Sequence, residues 1–445
     1  MVASPGLYVD YENSGQCFDR SGAIMIKSTI YSKTGLIIIC ILVAFTPLAR
    51  GSVHPWAVSV IQLGVLLSFI LLVIESLHYD NVLIAKTPLN IPLVVLVVMA
   101  GVSVLVSPHR WLAWQGFSLL LTYVGVYLVG RSVVRTRTQK RMLVYTIIGT
   151  ALFLSVFGLF KRFGVNPFTF WQYDELRYSP EFVSATYGNH NHLAGFIEMA
   201  LPFLLVLLLT RSRSVAWLMV IIYLALVLVA VQALTLSRGG WAAMACSIAF
   251  MVTMLLSQRQ FHSKKLILVL TGITLVVSAV ILASSPIVSR VMTFAQKDEA
   301  ASAESRVTAW KGTVEMIKDH AFLGTGPGTY AAAFPEYQPP GLGIIFKHTH
   351  NDYLHFTADM GVWVIAVMIW MLIVFFKAGL KNRGSRSRQT SGFALAAMVS
   401  VVAILVHSIV DFNLHIPANA FVFCVIVSAF QPFHHKSAQH KPSNS

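Results

Sequence analysis

The sequence predicts an all-α membrane protein of about 12 transmembrane helices, with a large polar loop between the ninth and the tenth. Three observations predict it. Of 445 residues, 56% are hydrophobic and only 11% charged, with a mean hydropathy of +0.70. Such a chain has too little charge to cover a surface in water, whereas a chain solvated by lipid needs none. Apolar runs near the ~20 residues that cross a bilayer recur along the chain. One polar stretch, roughly Ser285 to Tyr353, interrupts them.

Residues 1–33 are polar and mixed, unlike a cleavable signal peptide, and are expected to form a cytoplasmic lead-in. The expected spans are 34–49, 56–77, 91–107, 111–130, 142–160, 193–210, 216–236, 239–257 and 264–284, then 354–376, 392–410 and 415–431 after the polar loop. The first, third and last are short. Residues 432–445 are expected to be a cytoplasmic tail, and no soluble domain is expected beside the bundle.

Lys and Arg orient the bundle. The even-numbered connections carry Arg131, Arg135, Arg137, Lys140 and Arg141, then Arg211 and Arg213, Arg259, Lys264 and Lys265, and finally Lys377, Lys381, Arg383, Arg386 and Arg388. The odd ones carry fewer: Arg50, Arg110, Lys161, Arg162, Arg177 and Arg238. The even side is therefore expected to be cytoplasmic, with both termini inside, and the 285–353 loop periplasmic in a Gram-negative cell. No nucleotide is at hand there, so a substrate must arrive activated.

The formal charge of +15 is spread between apolar segments. It reads as orientation signal and lipid head-group contact, not as a nucleic-acid stripe. Cys17, Cys40, Cys246 and Cys424 are scattered, without zinc or disulfide spacing.

Several polar motifs meet on the outer face. Arg238 stands in Leu236-Ser237-Arg238-Gly239-Gly240-Trp241, where it either snorkels to the interface or clamps an anion with its planar fork. Residues 304–320 have helical spacing, with Val307, Trp310, Val314 and Ile317 on the expected buried face, Trp310 at head-group depth and Arg306 one turn before it. Gly324-Thr325-Gly326-Pro327-Gly328 resembles a phosphate loop in composition only. No Gly-Lys-Ser/Thr follows, so it reads as a tight turn.

His348-Thr349-His350-Asn351-Asp352-Tyr353-Leu354-His355 opens the tenth span. If helical, it would align His348, Asp352, His355 and Asp359. Imidazole suits proton transfer near neutral pH, and the spacing is weak for a metal. Tyr187 to His192, with Asn189, His190 and Asn191, either binds sugar hydroxyls or caps the sixth span. Asp411, in His407-Ser408-Ile409-Val410-Asp411-Phe412, reaches the same face as a partner for Arg238 or Arg306.

Together these pieces resemble the O-antigen ligase/polymerase superfamily of bacterial membrane glycosyltransferases, most clearly from Thr186 to Ala420. The resemblance rests on Tyr187 to His192, Ser237 to Gly240, Arg306 and Trp310 ahead of Leu323 to Gly326, His350 to Leu354 with Gly361, and His407 to Phe412. It implies a C-type glycosyltransferase architecture in the inner membrane, a glycan donor on undecaprenyl diphosphate, an acceptor such as lipid A–core, and no cofactor or required metal. It implies catalytic roles for Arg238, Arg306 and His350. His348, Asn351, Asn189, His190, Asn191, Asp411 and Trp310 would contact substrate, and direct displacement would invert the anomeric centre. Ligation and polymerisation share this donor and geometry. A reading of another class is a transporter or flippase of a polar or lipid-linked solute. It would place ionisable groups at mid-membrane in matched halves, whereas here they gather at one face.

Overall fold

The computed structural model describes residues 17–18, 24–25, 29–79, 87–166, 168, 182–210, 214–257, 272, 305–339, 346–383, 385 and 387–430. Their regular secondary structure is helical apart from a two-residue antiparallel pairing of Cys17–Phe18 with Ile24–Met25. The ninth expected span apart from Gly272, most of the first half of the polar loop and the C-terminal tail lie outside the described residues.

The helices are α1 (Ile30–Leu48), α2 (Pro55–Tyr79), α3 (Asn90–Val106), α4 (Arg110–Val133), α5 (Arg137–Arg162), α6 (His190–Thr210), α7 (Val215–Leu234) and α8 (Arg238–Leu256). After them come α9 (305–319), α10 (Asp352–Met360), α11 (Trp363–Arg383), α12 (Arg388–His407) and α13 (Pro417–Ala429). Among the described residues nine helices are long and apolar enough to cross a membrane, and α3 and α13 are shorter apolar helices. Side-chain caps start several of them: Thr29 with Ser32 at α1, Thr136 with Gln139 at α5, and Ser214, Ser237 and Ser387 at α7, α8 and α12.

Helices α6 and α12 form the buried centre. Gly392, Ala396, Ser400 and Ala403 keep one side of α12 small, and Ser400 Oγ donates to the Met199 carbonyl of α6 at 2.7 Å. Small residues let helix backbones approach where no water drives them together. Around this centre α2, α3 and α7 expose Leu63, Leu77, Ile91, Val94, Met219 and Tyr223, as lipid-facing helices do. At one end of the bundle Arg135 of the α4–α5 junction makes two hydrogen bonds to Glu75 of α2, at 2.6 and 3.2 Å.

At the other end sits a cap. Two sequence expectations are corrected there. The tenth span does not run from 354 through 376. Helix α10 ends at Met360 and is capped by Gly361, whose φ of +89° suits only glycine comfortably, and the membrane-length helix α11 begins at Trp363. A Cβ on Gly361 would overlap the Phe322 carbonyl, so the break is built into a close backbone contact. The buried face of residues 305–319 is also not the expected one. Val307 and Val314 are exposed, while Ala309, Gly312, Thr313 and Met316 pack inward against Tyr330, Phe334, Phe346 and Ala358. Flat aromatic rings need small residues opposite them, and the larger valines turn outward. A third, smaller difference is that α1 begins at Ile30, inside the expected lead-in.

Candidate active site

The cap presents His350 at the mouth of the bundle. Its φ of +52° is left-handed, a costly conformation for a residue with a Cβ. The neighbours hold it there. Trp310 of α9 donates its indole N–H to the Thr349 carbonyl at 2.8 Å. The buried Thr349 hydroxyl donates to the Asn351 carbonyl at 2.6 Å and accepts the Asn351 N–H at 3.1 Å. The ring then lies edge-on to Phe412, with Nδ1 3.7 Å from Asp411 Oδ1, an ion-pair rather than a hydrogen-bond distance. His350 is 32% exposed and Asp411 2%, so substrate can reach one side of the imidazole while the carboxylate backs the other.

Burial alone would raise the Asp411 pKa. The adjacent His350, with His192 and His407, outweighs it and holds the carboxyl well below its usual range. Asp411 therefore faces His350. His348 lies flat on Phe412 with centroids 4.1 Å apart, and burial together with the neighbouring histidines lowers it to about 3.

Beneath these rings the buried Asp352 ties the cap to the α12–α13 junction. Its carboxylate accepts from Ser408 Oγ at 2.6 Å, the Leu414 N–H at 3.0 Å and His415 Nδ1 at 2.5 Å, and its own N–H donates to the Ser408 carbonyl at 2.9 Å. Two turns on, Asp359 accepts the Gly328 and Tyr330 N–H groups at 2.7 and 3.0 Å. The glycine turn is thus a turn closed around an internal carboxylate. Gly324, Gly326 and Gly328 have φ of +66°, +115° and +75°. Burial raises Asp359 to about 7, against the pull of His415 and these N–H donors.

His355, Asp359 and His415 offer three atoms that suit a metal, within 4.8 Å of one another. The two imidazoles, however, lie face to face, centroids 3.7 Å apart and planes 12° from parallel. Ring lone pairs lie in the ring plane, so these two run side by side and do not meet at one point. As placed, the set is a packed stack under Tyr330 and Phe356.

Arg238 starts α8, after the N-cap Ser237 and Leu236, which is left-handed at φ +54°. Its side chain is exposed, and the turn carrying it rests on a buried pair. Glu198 of α6 lies 3.2 Å from His407 Nδ1 and accepts Gln232 Nε2 at 2.9 Å. His407 Nε2 is 3.5 Å from Ser237 Oγ, which accepts the Gly240 N–H at 3.1 Å. A Cβ on Gly239 would press on the His407 ring, and one on Gly240 would come 2.8 Å from Glu198 Oε1. The two glycines are therefore required by contact with this pair. Glu198 carries no motif, and sequence reasoning missed it.

Arg306 opens α9, one turn before Trp310, and lies within electrostatic reach of His190, as does Asp411. His190 stacks on Phe182 with centroids 4.4 Å apart. The Asn189 amide oxygen accepts the Asn191 N–H at 2.9 Å, and the Asn351 amide oxygen accepts the Leu354 N–H at 3.1 Å to start α10. Both asparagine oxygens are thus engaged in helix entry. Tyr187 donates to Asn419 at 2.7 Å, which binds the α6 start to α13.

An apolar cavity of about 280 Å³ opens beside this cluster. Gly328, Asp359 and His415 line one end, and Leu89 and Tyr127 line it toward the far ends of α3 and α4. Between them run Leu120, Met368, Phe375 and Phe423. A chain-shaped apolar ligand fits such a lining.

The segment holding the clasped His350, the turn of Arg238 and the glycine loop also matches a known family model, described as O-antigen ligase, over residues 224–369. Residues 224–369 are an O-antigen ligase family domain. The O-antigen ligase domain contains Arg238, Arg306, Trp310, His348, His350 and Asn351, while Asn189, His190, Asn191 and Asp411 lie outside it. No curated protein matches the chain.

Proposed function

We propose that this protein transfers a glycan from undecaprenyl diphosphate to an acceptor hydroxyl at the face of the membrane that bears the cap. The observation that carries the proposal is His350, clasped in a strained backbone, open to substrate on one side and backed by the buried Asp411 on the other. Strain of this kind persists where a site is pre-organised.

The acceptor O–H would lie against the exposed edge of His350. As the acceptor oxygen bonds to the anomeric carbon, its proton passes to the imidazole, and Asp411 stabilises the imidazolium that results. The anomeric C–O bond to the diphosphate breaks on the opposite side, so the centre inverts. The leaving lipid diphosphate gains negative charge, which Arg238 and Arg306 would hold in a partly dry site. The apolar cavity supports a long lipid tail between α3, α4, α11 and α13. The charge pattern of the connections supports a periplasmic site in the bacterial inner membrane. Ligation to lipid A–core and polymerisation of repeat units use the same arrangement and differ in the acceptor.

A transporter would carry exposed ionisable groups along its path. Glu198 and His407 do lie within spans, but both are sealed and partnered, and they do not line the cavity. That favours chemistry at the face.

Complementation of a strain lacking its own ligase or polymerase tests the proposal. Wild-type protein should restore glycan transfer. His350→Ala and Arg238→Ala should each insert normally and restore none. Normal transfer by either variant removes that residue from the mechanism.

A further inference from the structure

We infer that the buried Glu198–His407 pair is the positioning unit of the diphosphate site: it sets where Arg238 stands relative to Asp411 and His350. This deepens, and rests on, the transfer chemistry proposed above. Three observations lead to it. The pair lies directly under the first turn of α8. Ser237 Oγ bridges from His407 Nε2 to the Gly240 N–H, and Gly239 and Gly240 leave no room for a side chain between the turn and the pair. The same His407 ends α12, where its carbonyl accepts the N–H groups of Val410 and Asp411 at 3.1 Å. One histidine thus holds the arginine turn with its ring and the aspartate turn with its main-chain carbonyl. Finally, Glu198 and His407 are both buried, at 2% and 0% exposure, and neither touches the cavity. Neither is placed to meet substrate, so any effect on transfer must act through residues that do.

The pair is suited to this work. A buried carboxylate and imidazole joined by a short contact resist separation, because parting them leaves a charge or polar group without a partner in a dry place. Gln232 closes the second carboxylate oxygen from the end of α7. Helices α6, α7, α8 and α12 are therefore locked at one point, and the left-handed Leu236 is held above it.

A double-mutant cycle on the full-length protein in detergent tests this, with undecaprenyl diphosphate as the probe and undecaprenol as its uncharged control. Wild-type protein should bind the diphosphate at least tenfold more tightly than the alcohol. Arg238→Ala and Glu198→Gln should each weaken diphosphate binding about tenfold and leave the alcohol unchanged. The double variant should be no weaker than Arg238→Ala alone, since the two act as one unit. Additive losses, or wild-type diphosphate affinity in Glu198→Gln, would overturn the inference while leaving the transfer chemistry intact. Equal binding of diphosphate and alcohol by wild type would instead defeat the transfer chemistry. If Glu198→Gln does not fold, Ser237→Ala carries the same cycle with the same two outcomes. It removes only the hydroxyl between the pair and α8.

Discussion

His350 Nδ1 stands 3.7 Å from Asp411 Oδ1, although 61 positions of sequence and two membrane helices separate them. The contact joins the cap to the α12–α13 junction, and it gives an exposed imidazole a buried anion behind it. A base that must accept a proton as a bond forms gains from such a partner, because the imidazolium is stabilised where it arises.

Asp411→Asn keeps the shape and removes the charge. Transfer should fall by about 10²-fold, at the lower end of what general-base assistance supplies. Membrane insertion should be unchanged. A turnover assay on purified protein checks this, and wild-type turnover would remove Asp411 from the mechanism.

The glycine turn should tolerate no side chain at Gly324. Its φ of +66° is strained for any other residue, and a Cβ would overlap the Asp359 carbonyl. Gly324→Ala should cost about 1–3 kcal/mol from the backbone conformation, with the overlap adding to it. The melting temperature in detergent reports it, and an unchanged value would mean that the turn is not rigid.

Asp359 gives a pH signature. Its carboxyl ordinarily titrates at 3.8 and is raised to about 7 by burial in the fold. Below 3.8 both states are protonated, and this group's contribution is fully present. Between about 4 and 7 the unfolded chain gives up the proton that the folded protein keeps, so stability falls as pH rises and the contribution is lost above 7. The melting temperature of wild type relative to Asp359→Asn should therefore decline from pH 4 to 7. A flat difference would contradict the raised carboxyl.

Much of this was legible in the sequence because its causes are local. Apolar runs, capping serines and threonines, and the glycine turn depend on residues within a few positions of one another. The cap's buried face was misread at Val307 and Val314 because its partner is the remote ring set of Tyr330, Phe334 and Phe346, which calls for small residues instead of large ones. Asp352 was legible only as a helix-face residue. Its ties to Ser408, Leu414 and His415 come from a loop more than 50 residues away. Glu198 had no signal except that a carboxylate within an apolar span must find a partner.

Glu75 and Arg135 supply a control far from the cap. Glu75 is 2% exposed and binds the guanidinium with both oxygens. Glu75→Ala leaves the half-buried Arg135 guanidinium without its counter-ion and should cost about 1–3 kcal/mol of stability. Turnover per folded molecule should stay near wild type. A lowered turnover with unchanged melting would mean that this end of the bundle takes part in the reaction.

The central claim is glycan transfer from a lipid diphosphate by His350. The most direct measurement is release of undecaprenyl diphosphate from an undecaprenyl diphosphate-linked oligosaccharide by purified protein in detergent, with an acceptor glycan and no nucleotide. Wild type should release it stoichiometrically with glycosylated acceptor, and His350→Ala should be slower by about 10²–10⁴-fold. Equal release by His350→Ala, or no transfer by wild type with either lipid A–core or a second repeat unit as acceptor, would contradict the account.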